Sequence, residues 1–480
     1  MTYLSVILVY LFALIAIGIV KSRKIHTQSD FALAGRALTP WVLVGTMLAS
    51  WIGTGSILGN AGKTYETGMA ALMLPIGSIL GIILLIRIAG KVRSYEKYTV
   101  PEIIGDRYGP VARNLSVFAL VMAYMVIVSY QYNAGGAVLY TILADNTGTS
   151  IISIELATII AAVFIIAYTM LAGLLSVAYT DAANSIIMTL ALIISLPILW
   201  IKAGSWSGME TAFAAMNKSQ HMQFGGVYSA MDIINFCLPP FLLVIGDANM
   251  YQRFSASKDV QSARYSTTIL VFAVLFIELL IIASAWVSSS MIPEAEVGKH
   301  VLIYAAHQFL PTFLGAIMLT TIVGIIISTA DSFLLVPANT LIRDIYLNYI
   351  NPQASEKNIV RLSRLLVLLL GIIAYIVSIG FSRSAGFFER ALYAYTIYGA
   401  AITPALVAAL FWKGATKEGA VASIICGILV TLFWKELPGL WFWLPTEWYI
   451  SLDEVLPAIS GSLLALICVS YLTQKADPGK

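Results

Sequence analysis

Thirteen times along its 480 residues the chain runs for about 20 mostly apolar residues, and no other feature limits its fold so severely. A run of that length matches a bilayer-crossing helix, because in hydrocarbon every backbone N–H and C=O must be bonded within its own segment. The runs lie near 2–21, 39–62, 69–90, 112–138, 150–172, 181–203, 226–248, 266–290, 312–334, 361–382, 390–412, 418–435 and 454–473. They predict an all-α polytopic membrane protein. Large soluble domains are absent between them, so residues 1–480 read as one transmembrane domain. The composition agrees: 59% of residues are apolar and 11% charged, with a mean hydropathy of +0.87. So few charges could not cover a soluble protein of this size, which excludes a soluble enzyme. The run at 2–21 has neither a basic leader nor a small-residue cleavage site, and reads as a retained span. Cys237, Cys426 and Cys468 sit in apolar stretches without metal-ligand spacing, so neither a transition metal nor an organic cofactor is expected.

The net charge of +3 gives no hint of nucleic acid, but the distribution of basic residues orients the chain. With thirteen spans, one set of loops carries 21 Lys and Arg, and the other carries 7. The richer side is the cytoplasmic one. This puts the N-terminus outside, and the C-terminus and the tail 474–480 inside, in the plasma (inner) membrane.

Two spans carry helix breakers. The second reads VGTMLASWIGTGSILGNAG from Val44 to Gly62, with Gly53, Gly55 and Gly59 in mid-segment. The seventh holds Pro239-Pro240 and then Gly246-Asp247. Unwound backbone at membrane depth is tolerated only where it lines a cavity or is buried in protein, and paired interruptions point to a transporter's binding site. Glycine as a packing residue and proline as a kink explain one such span equally well. Two spans five places apart in the series fit equivalent positions of a five-plus-five inverted repeat.

Charges in the apolar layer are costly and therefore functional candidates. Asp331, in IISTADSFLL, shares a helix face with Ser328 and Ser332 and adjoins Thr329, an oxygen-rich set suited to sodium. The structural alternative has the hydroxyls bonded to their own helix and Asp331 paired with Arg343. Asp181 reads as an N-cap of the sixth span, a role compatible with ion binding. Asp247 lies in the break of the seventh span, where it could hold an amine, a proton or a cation. Asp232 falls near the outer end of its span, and Glu278 has no evident partner and no assigned role. Trp51, Tyr130, Tyr132 and Tyr251 cluster near the breaks. They suit either cation–π contact with a substrate or plain packing, and Trp51, next to the glycines, favours the former.

Four stretches bring these features into one pattern: DFALAGRAL (30–38), AGLLSVAYTD (172–181), ISTADSFLL with RDIY (327–346) and ITPALVAALFWKGATKEGA (402–420). In this order the chain resembles the sodium/solute symporter family, which includes bacterial proline and sugar symporters and choline transporters. The resemblance implies a LeuT-like core of two inverted five-helix repeats, 39–203 and 226–412, with one extra helix at 2–21 and two at 418–473. It implies a sodium site at Ala49, Ile52, Ile325, Ser328 and Thr329, and a second at Asp181, Ser328, Asp331 and Ser332. An Ala-Asp-Ser sequence at 330–332 resembles the choline branch, and its extra carboxylate would either strengthen the second sodium site or titrate. Trp51 also matches the choline branch. Val126, Ile127 and Asp247, however, stand where an aromatic cage would need rings.

The substrate set inferred for this chain is Trp51, Gly53, Tyr130, Asp247 and Tyr251, with Asp247 facing the ammonium group of an amino acid or related zwitterion. The expected partners are sodium, this solute and membrane lipid, and a monomer suffices for transport. Within the transporter class the alternatives are proton coupling and a sugar or carboxylate substrate. A membrane-embedded enzyme would need a catalytic set that the four histidines do not form. A sensor on this fold would carry a cytoplasmic signalling domain, which the seven residues after Thr473 do not supply.

Overall fold

The computed structural model describes residues 2–22, 27–144, 150–293, 300–381, 386–434 and 452–474. Lys475 and Lys480 of the expected cytoplasmic tail lie outside these residues, as do loop cations such as Arg23, Lys24, Lys299, Arg383 and Lys435. The principal helices are α1 (Thr2–Ser22), α2 (Pro40–Trp51), α3 (Gly55–Met73), α4 (Ile76–Tyr95), α5 (Pro110–Ile142), α6 (Ile154–Leu171), α7 (Gly173–Lys202) and α8 (Ala230–Gly246). They continue with α9 (Ala248–Ala256), α10 (Val260–Ser289), α11 (Thr312–Thr340), α12 (Glu356–Phe381), α13 (Phe387–Phe411), α14 (Lys417–Phe433) and α15 (Val455–Thr473). Among the described residues nine helices are long and apolar enough to cross a bilayer, or ten with α2 and α3 counted as one bent span. Three expected spans fall outside that set: α1, α4, which carries Arg87, Lys91 and Arg93, and α14, which has only 17 residues.

The interruptions lie close to the breakers, though not on all of them. Between α2 and α3 the chain leaves the helix at Ile52 (φ −77, ψ 84) and bends by 52°. It then re-enters through a wide-turned stretch, Gly55–Asn60. In the other broken span Pro239 and Pro240 lie inside α8, and the break falls at Asp247 (φ −59, ψ 113). A proline inside a helix removes one hydrogen bond, whereas an end inside the membrane strands several carbonyls. Here side chains take them up. The hydroxyls of Thr403, Tyr251 and Tyr398 donate to the carbonyls of Leu242 (2.8 Å), Ile245 (3.0 Å) and Gly246 (2.8 Å). Asp232, a candidate intramembrane charge, instead closes a capping box with Ser229 at the start of α8.

Gly173, at φ 59, separates α6 from α7. Asp181 therefore lies inside α7, more than a turn past its start, and is not the N-cap the sequence suggested. Gly45 brings α2 against α7, since a Cβ on it would lie 2.6 Å from the Cα of Ala182. That approach lets Thr46 reach Asp181. Gly45→Ala should push the two helices apart and cost about 1–3 kcal/mol, read as a lower melting temperature in detergent. An unchanged melting temperature would show that the contact yields freely.

Candidate functional site: a buried polar centre at the two breaks

The site is assembled by α2, α7, α9 and α11, which pack side by side. Thr329, on α11, donates its hydroxyl to the carbonyl of Ala49 at 3.3 Å, one turn before the break in α2. The next residue of α11 back along the chain, Ser328, donates to Asp181 Oδ1 at 2.6 Å, and Thr46 donates to Oδ2 at 2.6 Å. Ile52 and Ile325 are buried as well. Gly53 is held against α11, where a Cβ would meet the Oγ1 and Cγ2 of Thr329 at 2.9 Å. Of the first expected sodium set, Ala49 and Thr329 thus meet at the break, while Ser328 turns to Asp181. Such neutral and anionic oxygens are what a hard monovalent cation requires.

The second expected set is arranged around a residue that sequence reasoning missed. Arg253, on α9, counted among the cytoplasmic loop cations, yet its side chain is fully buried. Removing it from the count leaves the inside-positive bias intact. Its Nη2 donates to Ser332 Oγ at 2.7 Å and lies 3.6 Å from Asp181 Oδ2. Nε donates to Thr46 Oγ1 at 3.1 Å, and Nη1 to the carbonyl of Asn249 at 3.2 Å. The guanidinium occupies the ground between Asp181 and Ser332, so one positive charge is already in place there. Asp331 turns elsewhere, accepting the hydroxyl of Thr169 on α6. Arg343, the alternative partner for Asp331, pairs with Glu102 at 3.6 Å instead.

The expected substrate residues divide between two neighbouring places. Asp247 is buried, and its Oδ1 accepts the Tyr124 hydroxyl at 2.5 Å and the Asn249 amide N–H at 3.1 Å, which caps α9. Tyr124 stacks on Tyr398 (centroids 5.5 Å apart) and meets the edge of Phe333 (4.6 Å). Tyr251 is buried, its hydroxyl committed to the carbonyl of Ile245. Across the break, Trp51 stacks on Tyr395 with centroids 6.4 Å apart, and Tyr130 is buried. Gln131 accepts the hydroxyl of Thr54, while its buried Nε2 has no hydrogen-bond partner among the described residues. Tyr124, Gln131 and Tyr395 carried no sequence signal beyond being polar residues in apolar helices. Gln131 stands between Tyr130 and Tyr132 in the stretch SYQYN.

Two broken helices enclosing buried oxygens, an ion pair and paired aromatic rings at membrane depth define the protein as a secondary transporter. The sequence profile described as "SSF: Sodium:solute symporter family" matches residues 31–427, and the chain belongs to the sodium:solute symporter family. It is not an enzyme, and sodium is its coupling ion. Among curated relatives, the sodium/proline symporter of Haemophilus influenzae is 26% identical over 98% of this chain and 94% of its own length. The osmoregulated proline transporter OpuE of Bacillus subtilis is 25% identical over 97% of this chain and 94% of its own. Among solved structures, a Na+-coupled sialic acid symporter in a substrate-bound outward-open state matches with a TM-score of 0.81 at 15% identity, covering 99% of both chains. Mhp1, a nucleobase-cation-symport-1 family transporter in a closed conformation, matches with a TM-score of 0.58 at 12% identity, over 92% of this chain and 94% of its own. The fold is that of these transporters.

Proposed function

We propose that this symporter imports a small amine-bearing solute, in first place an amino acid such as proline, with sodium bound by Ala49, Ile52, Ile325, Ser328 and Thr329. The contact between the Thr329 hydroxyl and the Ala49 carbonyl carries the reading, because it joins the helix that ends at the break to the helix that bears the hydroxyls. Sodium placed between them ties α2 to α11 and so sets the geometry of Trp51 and Gly53, the first substrate-facing residues past the carbonyl. Binding of either ligand then raises affinity for the other by the same factor. Each sodium entering with the membrane potential contributes about 2.3 kcal/mol per 100 mV, roughly a fifty-fold concentration ratio, so one ion suffices to drive accumulation. The relatives named for proline support an amino acid over a sugar.

The same proposal includes thirteen spans with the N-terminus outside, and a core of two inverted five-helix repeats (39–203 and 226–412) flanked by 2–21 and 418–473. It also assigns Trp51, Gly53 and Tyr130 to the solute's path, with Asp247 and Tyr251 holding the second break in shape beside it. Asp181, Ser328 and Ser332 form a second cation position that Arg253 fills in the present conformation, while Asp331 stands at its edge.

In proteoliposomes with an inward sodium gradient, uptake of radiolabelled L-proline should rise well above the rate in equimolar potassium. Proline uptake indifferent to sodium, or driven by a proton gradient in its absence, would reject the coupling. Sodium-driven uptake of a sugar or carboxylate in place of proline would reject the solute class.

A further inference from the structure

Glu278 is a buried charge to which the proposed transport gives no role. Glu278 lies in the middle of α10, 2% exposed, and its carboxylate accepts the Ser56 hydroxyl at 2.6 Å and the Asn60 amide at 3.0 Å. Both donors are neutral and both belong to α3, just past the break. Among the described residues no basic side chain pairs with it. A carboxylate at membrane depth with only two neutral donors is an expensive feature unless something positive visits it.

It lines a cavity of about 40 Å³ together with Trp51, Tyr395 and Ser78. Such a space holds two or three water-sized groups, too few for a whole amino acid but enough for a dehydrating cation or a primary ammonium group. Its walls come from the early part of α3, the starts of α4 and α13, and the middle of α8. In the proposed topology the starts of α4 and α13 face outward, which puts the cavity on the outer side of the Trp51–Tyr395 pair. Carboxylate and hydroxyl oxygens attract a compact cation, and the two rings add cation–π attraction for one that keeps part of its charge toward them.

We infer that Glu278, Ser56 and Asn60, with Trp51 and Tyr395, form an outer site for a compact monovalent cation, separate from the sodium set at Thr329 and occupied before it. The ion's source is either sodium itself or the ammonium group of an arriving solute, and both share this chemistry. The inference relies on the sodium-driven reading only for the order of events; binding itself can be measured without transport.

The test uses the purified full-length protein, with 22Na+ and 14C-methylammonium as equilibrium-binding probes. Wild-type protein should retain at least one of the two probes at this site, and Glu278→Gln should weaken that binding about tenfold or more. Thr329→Val should lose sodium at the inner site and keep the outer one. Sodium capacity falling in Glu278→Gln with methylammonium unbound by either protein assigns the site to sodium. Methylammonium binding lost in Glu278→Gln with sodium capacity intact assigns it to an ammonium group. If both probes bind Glu278→Gln as they bind wild type, the inference is overturned, and the carboxylate is a packing element. Should Glu278→Gln fail to fold, Ser78→Leu fills the cavity and leaves the carboxylate in place. Wild-type binding of both probes by that variant overturns the site equally. Failure of proline uptake would leave these binding results standing, and a Thr329→Val protein with normal sodium binding would reject the inner site alone.

Discussion

Arg253→Met is expected to destabilise the protein by about 3–5 kcal/mol, because among the described residues no other basic side chain pairs with the Asp181 carboxylate. The pair is 3.6 Å apart and buried on both sides, so neither charge can recover its lost hydration from solvent. The surviving donors to Asp181, Thr46 and Ser328, are neutral. A methionine fills most of the space of the guanidinium stem but none of its hydrogen bonds to Thr46, Ser332 and the Asn249 carbonyl. The double variant Arg253→Met with Asp181→Asn should recover a large part of the loss, since removing both charges together avoids the uncompensated ion. Thermal unfolding in detergent measures both. A single variant as stable as wild type would show that sodium or water, and not Arg253, neutralises Asp181. The added prediction is ionic: with the guanidinium gone, high sodium should raise the melting temperature of Arg253→Met more than that of wild type, because the vacated ground between Asp181 and Ser332 can then take an ion.

Thr329→Val should raise the sodium concentration needed for half-maximal uptake by at least about tenfold, which corresponds to the roughly 1.4 kcal/mol of one oxygen ligand. Valine keeps the branched shape against Gly53, so the helices stay in register while the oxygen is lost. Maximal uptake at saturating sodium should change much less, since the missing group binds the driving ion and not the solute. Gly53→Ala probes the same contact from the other side. Its new methyl group would lie 2.9 Å from Thr329 and push that hydroxyl away from the Ala49 carbonyl, giving a similar shift with the threonine still present. An unchanged sodium requirement in both variants would remove Thr329 from the ion site.

Much of the fold was readable because the membrane imposes simple rules. The apolar runs, the glycines near Ile52 and the Gly246-Asp247 pair each obey a local constraint, and the helices and breaks formed close to those residues. The family motifs then carried the order of elements from residue 30 to residue 420. Pro239-Pro240 misled because a membrane helix can absorb prolines when neighbours such as Thr403 take up carbonyls nearby, and no neighbour is visible in a one-dimensional pattern. Asp181 looked like a cap for the same reason: a cap is a local reading, and its partners Thr46 and Ser328 lie 135 and 147 residues away.

The chain alone determined that this is an all-helical membrane transporter with two broken spans, since length, hydropathy and helix breakers act within a segment and need no partner. Only the tertiary structure decided how each buried charge is answered. Arg253 became the counterion of Asp181, Asp331 went to Thr169, Asp247 became a cap held by Tyr124, and Glu278 was left lining a cavity with two neutral donors. The physical reason is that the energy of a charge at membrane depth depends on atoms within a few ångströms, and those atoms come from helices far apart in sequence.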